Sequence, residues 1–249
     1  VDIYEDRTGI LWLGTRWTGL FRLNRETGDV RHYTYDPEKP SNLSHANVTT
    51  IYEAPSQPGI LWIGTEGGGL NRFDTQTDLF TPYQLNPENP NSLSGEYITS
   101  IYEEAPGRLL IGTRESGLIW FDVKNNTFTH FTTYNSGLSD NYVSCILGDK
   151  TGHIWIGTSQ GLSRFDPESR SFYTFGPRHG VLAHPFTSSC DCDQKGNLIF
   201  GGINVFTGFN PDQIELFNSP PHPVVLTNFI LPGQSAGPDP KGSLDASIR

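Results

Sequence analysis

The chain of 249 residues has no methionine, only three cysteines and no basic run. Seventeen Lys and Arg stand against 27 Asp and Glu, giving a net charge of −10. Nucleic acid is excluded as a partner of this segment, because phosphate neutralisation has no basic stripe to work through. Anionic membrane surfaces are excluded on the same ground. No apolar stretch approaches the roughly 20 residues of a membrane span, and no charged-then-apolar leader opens the chain. The missing methionine, and a first residue Val1 that already reads as strand, are expected of a segment of a longer protein. Cys145, Cys190 and Cys192 have neither zinc nor redox spacing. Cys190 and Cys192 alternate with Asp191 on one face of a strand, a poor geometry for a mutual bridge. All three are expected to be free, partly buried thiols.

What is abundant points to short strands joined by tight turns: 27 Gly, 18 Pro and 12% aromatic residues. Nearly the same words also recur. Trp12-Leu13-Gly14-Thr15, Trp62-Ile63-Gly64-Thr65, Leu110-Ile111-Gly112-Thr113 and Trp155-Ile156-Gly157-Thr158 each lead to a second motif ending near Arg-Phe-Asp, and Phe200-Gly201-Gly202 is a degraded fifth copy. Counted from glycines 14, 64, 112, 157 and 202, the spacings are 50, 48, 45 and 45 residues, the period of propeller blades. Each copy holds four strand-like runs with period-2 alternation. In the second copy they are 48–53, 60–65, 70–74 and 79–85. The third has 98–103, 109–113, 118–122 and 128–131, and the fourth 143–147, 153–158, 162–166 and 172–175.

The predicted fold is all-β: a β-propeller of four-stranded antiparallel blades, five of them here and part of a larger propeller. The blades fall at about 1–35, 46–85, 97–134, 142–176 and 186–217. A stiff Ser219-Pro220-Pro221-His222-Pro223 break follows, and 218–249 reads as a linker and the truncated start of a β-sandwich domain. Strand alternation puts Trp12 and Gly14 against one neighbouring blade, and Leu11 and Leu13 against the other. Trp62 and Trp155 are then packing residues. Arg22, Arg72 and Arg164 recur on the third strand as expected interblade hydrogen-bonders, with Trp120 in their place in the third blade.

The long loops 35–44 and 85–94 are close copies, rich in Asn, Pro and Ser, and are expected as ordered turns. Chain direction places them on one rim with the turn between strands two and three. There the blades differ: Arg16-Trp17, Glu66-Gly67, Arg114-Glu115 and Ser159-Gln160 occupy matching positions. Trp17 offers an exposed indole for stacking on a sugar ring, and Arg16, Glu66, Arg114 and Glu115 polar contacts. The bland alternative is that Trp17 packs on the neighbouring loop.

The succession I-Y-E, G-x-L-W-I-G-T, G-L-x-R-F-D and N-P-x-N-P-x-S-L-S over residues 1–217 resembles the two-component regulator propeller repeat. Pro220 to Phe229 is similar to the start of the three-tyrosine immunoglobulin-like domain that follows such propellers. The resemblance implies the periplasmic sensor region of a bacterial hybrid two-component histidine kinase. That implies an oligosaccharide ligand, control of polysaccharide utilisation, and membrane attachment only through a helix further along the chain. It implies no cofactor and assigns no binding residue.

Chemistry of other kinds finds little footing. Gly157-Thr158-Ser159-Gln160-Gly161 satisfies the nucleophile-elbow pattern but leads into a strand instead of a helix, so no catalytic residue is assigned. His32 and His130 occupy matching strand-four positions, and Asp191 and Asp193 lack the further oxygens a calcium loop needs, so no metal is expected. A propeller enzyme, such as a glycan or cyclic-peptide lyase, and a protein-binding scaffold remain the alternatives to a sensor. Five blades show no closing strand exchange, so a homodimer or missing blades of the same chain are expected to cover the ends.

Overall fold

A computed structural model of the chain describes residues 2–39, 41–89, 91–181, 185–214, 229–231 and 234–236. The chain divides into two compact units, Val1–Gln213 and Ile214–Arg249. In the first, four antiparallel sheets of four strands follow one another along the chain. Blade one comprises β1 (Asp2–Glu5), β2 (Ile10–Gly14), β3 (Leu20–Asn24) and β4 (Val30–Tyr33). Blade two is β5 (Val48–Glu53), β6 (Ile60–Thr65), β7 (Leu70–Asp74) and β8 (Leu79–Tyr83). Blade three is β9 (Ile98–Ala105), β10 (Arg108–Thr113), β11 (Leu118–Asp122) and β12 (Thr127–Phe131). Blade four is β13 (Val143–Gly148), β14 (Ile154–Thr158), β15 (Gly161–Asp166) and β16 (Ser171–Phe175). The fifth shows three strands, β17 (Phe186–Cys192), β18 (Leu198–Gly202) and β19 (Phe206–Phe209). Its expected fourth strand, and the domain boundary near 218, lie outside the described residues. In the second unit β20 (Phe229–Leu231) pairs antiparallel with β21 (Gln234–Ala236).

The first strands line up side by side, β1 against β5, β5 against β9, β9 against β13 and β13 against β17. Among the described residues no sheet draws strands from both the first and fifth blades. The central glycines explain the close approach. A Cβ on Gly64 would stand 2.7 Å from Ile98 Cγ2, and one on Gly14 2.5 Å from Val48 Cγ1, so each glycine faces the following blade. Trp12, Trp62 and Trp155 lie two residues earlier on the same face and are buried. Trp12 and Trp62 meet Phe73 and Phe121 of the next blade edge-on, at 5.5 and 5.9 Å. This is the packing seam that the alternation predicts. Bulges at the head of the first strands add a polar stitch: Thr49 Oγ1 donates to Ile98 O (2.6 Å) and Thr99 Oγ1 to Val143 O (2.5 Å) in the next blade.

Three expectations are corrected. The glycine of blade five that matches Gly157 is Gly201, since Gly201 faces Phe206 as Gly157 faces Leu162. The last period is therefore 44 residues, and Ile199 holds the tryptophan position. Cys145 and Cys190 are not free: they form a disulfide between β13 and β17, with Cα atoms 6.3 Å apart. Only Cys192 is a free, exposed thiol. The span suits a bridge between neighbouring strands, and here those strands belong to different blades.

Arg22, Arg72 and Arg164 donate no side-chain hydrogen bond among the described residues. Arg31 on β4 instead pairs with Asp78 in the last turn of blade two, and Tyr33 Oη donates to the same carboxylate at 2.8 Å. At the junction of blades three and four this pair gives way to stacking, with the Arg108 and Arg170 guanidiniums 5.5 and 4.9 Å from the Trp120 ring.

Candidate functional site

The turn between the second and third strands is built the same way in each regular blade. Thr65 Oγ1 donates to Gly69 O, Thr113 Oγ1 to Gly117 O and Thr158 Oγ1 to Gly161 O, each at 2.8 Å. The long interblade loop then arrives from the side: Gly19 N donates to Ala46 O (2.8 Å), Gly69 N to Glu96 O (3.0 Å) and Gly117 N to Asn141 O (2.9 Å). Gly19, Gly69 and Gly117 have φ of 93°, 73° and 76°, the left-handed region that glycine supplies without strain. The turns and the loops therefore share one rim. The loops are ordered, with bridges Tyr35 to Leu43 and Leu85 to Leu93.

A loop serine in each copy is placed over the third strand of the next blade. Ser44 N donates to Asn71 Oδ1 (3.0 Å) and Ser139 N to Ser163 Oγ (3.1 Å). In blade three the matching residue is Ile119, and Ser94 Oγ is buried without a partner.

Where the blade-two and blade-three turns meet the loop 94–97, the rim opens into a groove of about 340 Å³. Glu66, Leu85, Glu96, Tyr97, Glu115 and Ser116 are among its lining residues. Glu66 bridges to Tyr97 through backbone pairing. Its carboxylate accepts from Asn47 Nδ2 at 2.5 Å and stands 3.9 Å from Arg114 Nη1. The Arg114 guanidinium lies 5.0 Å from the Tyr97 ring centroid. Burial, with the Glu66 carboxylate nearby, pushes the Tyr97 phenol above its ordinary pKa, so it stays neutral and able to donate.

Of the sequence-predicted residues, Glu66 and Glu115 line this groove, and Arg114 stands beside it against Glu66 and Tyr97. Arg16 and Trp17 do not line the groove. They stand on the blade-one turn, where the indole is 74% exposed and the Arg16 guanidinium lies 5.4 Å from its ring. Asn47, Glu96 and Tyr97 escaped notice. Asn47 and Tyr97 occupy the position just before the first strand, where Tyr142 stands in blade four, Glu96 lies one residue earlier, and both positions vary between blades as the turn does. The signal was available there.

Ser159 sits in the blade-four rim turn, where its N–H donates to Tyr142 O (3.3 Å). The turn joins two strands, β14 and β15, so the nucleophile-elbow geometry is absent. Among the described residues no group of three His, Cys, Asp or Glu side chains could hold a metal ion.

Residues 137–160 match the family model described as the two-component regulator propeller. The histidine kinase P4 of Formosa agariphila is 26% identical over 113 residues, 45% of this chain and 8% of that protein. The extracellular domain of a hybrid two-component system from B. thetaiotaomicron superposes with a TM-score of 0.72 at 28% identity, covering 85% of this chain and 27% of that one. The propeller domain of Cps50 (Swd1) from Myceliophteria thermophila, at 15% identity and a TM-score of 0.61, covers 86% of this chain and 69% of that one and shares the fold alone. The chain thus spans less than a third of the two-component relatives' length.

Proposed function

We propose that this chain, whose blades are two-component regulator propeller repeats, is a ligand-sensing extracytoplasmic module of a two-component signalling protein. Its ligand is a glycan fragment bound on the rim, and its output the control of polysaccharide utilisation. The observation that carries this reading is the rim groove of blades two and three. Residues that differ between blades converge there around a half-buried tyrosine, while the seam below repeats. A concave surface with an aromatic face and a few polar groups suits a sugar. The likeness to extracellular sensor domains supports the same reading. So does the Cys145–Cys190 bridge, which belongs to an oxidising compartment such as the periplasm.

The outer faces of the end blades suit a covering partner, either further blades of the same protein or a second copy. Ile3 is 65% exposed where its counterpart Ile51 is 5% exposed, and Phe206 is 70% exposed where Leu162 is 1% exposed.

Isothermal titration with a panel of defined oligosaccharides tests the sensor reading. Binding heat from at least one, lost in Tyr97→Ala with the melting temperature unchanged, is the expected result. Silence from every oligosaccharide overturns it. Trp17→Ala, run beside it, decides whether the blade-one turn extends the site.

A further inference from the structure

The polar groups of the groove are unevenly committed. Of its hydroxyl donors, those of Thr113 and Ser116 are used internally, Thr113 Oγ1 on Gly117 O and Ser116 Oγ on Ser94 O, each at 2.8 Å, leaving those of Ser94 and Tyr97. The backbone N–H of Gly67 is taken by Glu96 O (3.0 Å). The nearby cation, Arg114, is engaged by the Glu66 carboxylate and the Tyr97 ring. The carboxylates of Glu96 and Glu115, in contrast, have no hydrogen bond or ion pair among the described residues, and both are exposed. The groove therefore offers acceptors in excess, with three carboxylates in its lining and one guanidinium beside it.

Building on the glycan reading above, we infer that the groove discriminates by charge. It takes saccharides rich in donors, amine-bearing units before neutral ones, and rejects those carrying uronate or sulfate groups. An ammonium or hydroxyl on the ligand satisfies the free oxygens of Glu96 and Glu115. A carboxylate or sulfate would meet them with like charge and find no uncommitted cation. The Tyr97 ring is shared, with Arg114 on one side, so stacking gives affinity to all three classes and the carboxylates give the ranking.

The test titrates the whole chain with glucosamine, N-acetylglucosamine and galacturonate oligomers of one length, at low and high salt. In the wild type we expect affinity to fall in that order, with roughly a tenfold or greater span at low salt that narrows as salt screens the charges. In Glu96→Gln/Glu115→Gln the span should collapse, with the galacturonate oligomer gaining affinity. Equal binding of the galacturonate and neutral oligomers by the wild type, or an order unchanged in the double variant, overturns the charge rule and leaves the sensor reading standing. Absence of binding by all three, and by the oligosaccharide panel used above, overturns both.

Discussion

The seam between blades and the rim above it are made from the same repeat, yet they use it in opposite ways. On the seam the residues recur because the geometry admits few others: a glycine where the next blade touches, in most blades a tryptophan two residues before it, and in blades two to four a valine or isoleucine to receive the glycine. On the rim a threonine and a glycine fix the turn, and the side chains between them change from blade to blade. Repetition marks what holds the blades together, and variation marks where the proposed ligand would be told from its competitors. On the rim, the groove of blades two and three is where variation and concavity coincide.

The largest effect that would test this division lies on the seam. Trp155 is fully buried, with Phe175 of its own blade and Phe209 of the next at 5.2 and 4.7 Å. Trp155→Ala should cost about 3–5 kcal/mol, as large aromatic truncations in a core do. Chemical denaturation followed by circular dichroism reads it. A loss near zero would mean that the blades are held by their backbone stitches and loops, and the distinction between seam and rim would fail.

The junction of blades four and five departs from the others in what receives the glycine, with Phe186 and Phe200 facing Gly157 where Val48, Ile98 and Val143 face Gly14, Gly64 and Gly112. There the disulfide supplements packing. Cys145→Ser/Cys190→Ser should lower stability by about 2–4 kcal/mol. Hydrogen exchange should show the loss first in β17–β19, with blades one to three protected as before. Uniform loss of protection through all five blades would make the bridge a general constraint and not a clamp on the variant blade.

Much of this was legible in the residues. The Trp-x-Gly-Thr words fixed the strand register of four blades and predicted which face each glycine turns to its neighbour. The bridge was hidden because Cys190 was compared with its near neighbour Cys192. The separation of Cys145 and Cys190 is 45 residues, one blade period, which places them on the same strand of adjacent blades. The fifth blade slipped by one residue because Gly201-Gly202 offers two glycines, and only strand pairing distinguishes them. Tyr97 and Glu96 stayed out of the candidate site because only one of the two variable rim positions was compared across blades. The recurring arginines misled in the other direction. Recurrence on strand three suggests a bond there, whereas Arg31 on the outer strand makes it.

Beneath the seam, blades one and four differ from blade two in how the tryptophan N–H is satisfied. Trp12 Nε1 donates to Asp6 Oδ2 (2.7 Å) and Trp155 Nε1 to Asp149 Oδ2 (2.8 Å), whereas Trp62 Nε1 is buried without a partner. Burial works to raise the Asp6 and Asp149 pKa values. The hydrogen bonds from Thr8 and Trp12, and from Thr151 and Trp155, together with backbone N–H groups, outweigh it and leave both below their ordinary value. A carboxyl depressed in the folded state stabilises above the unfolded pKa, and that stabilisation is lost as pH falls through the folded value. Stability should therefore decline below about pH 4. Asp149→Asn should flatten the decline and cost about 1–3 kcal/mol at neutral pH, the scale of a hydrogen bond to a charged group. An unchanged acid limb in that variant would show that these turns do not set it.

The smallest effect is the most selective, because it compares one position in two blades. Ser139 Oγ bonds both Thr158 Oγ1 and Ser163 Oγ at 2.8 Å, while the matching Ser94 Oγ is buried with Ile119 where Ser163 would be. Removing a bonded hydroxyl and removing an orphaned one have different signs. Ser139→Ala leaves two partners to find others and should cost about 1 kcal/mol, whereas Ser94→Ala removes an unmet desolvation penalty and should be neutral or slightly stabilising. Equal losses would place the value of the loop serine in its backbone or packing. Unequal losses would show that blade three has given up a rim hydrogen bond that its neighbours keep, at the wall of the groove where the ligand is expected.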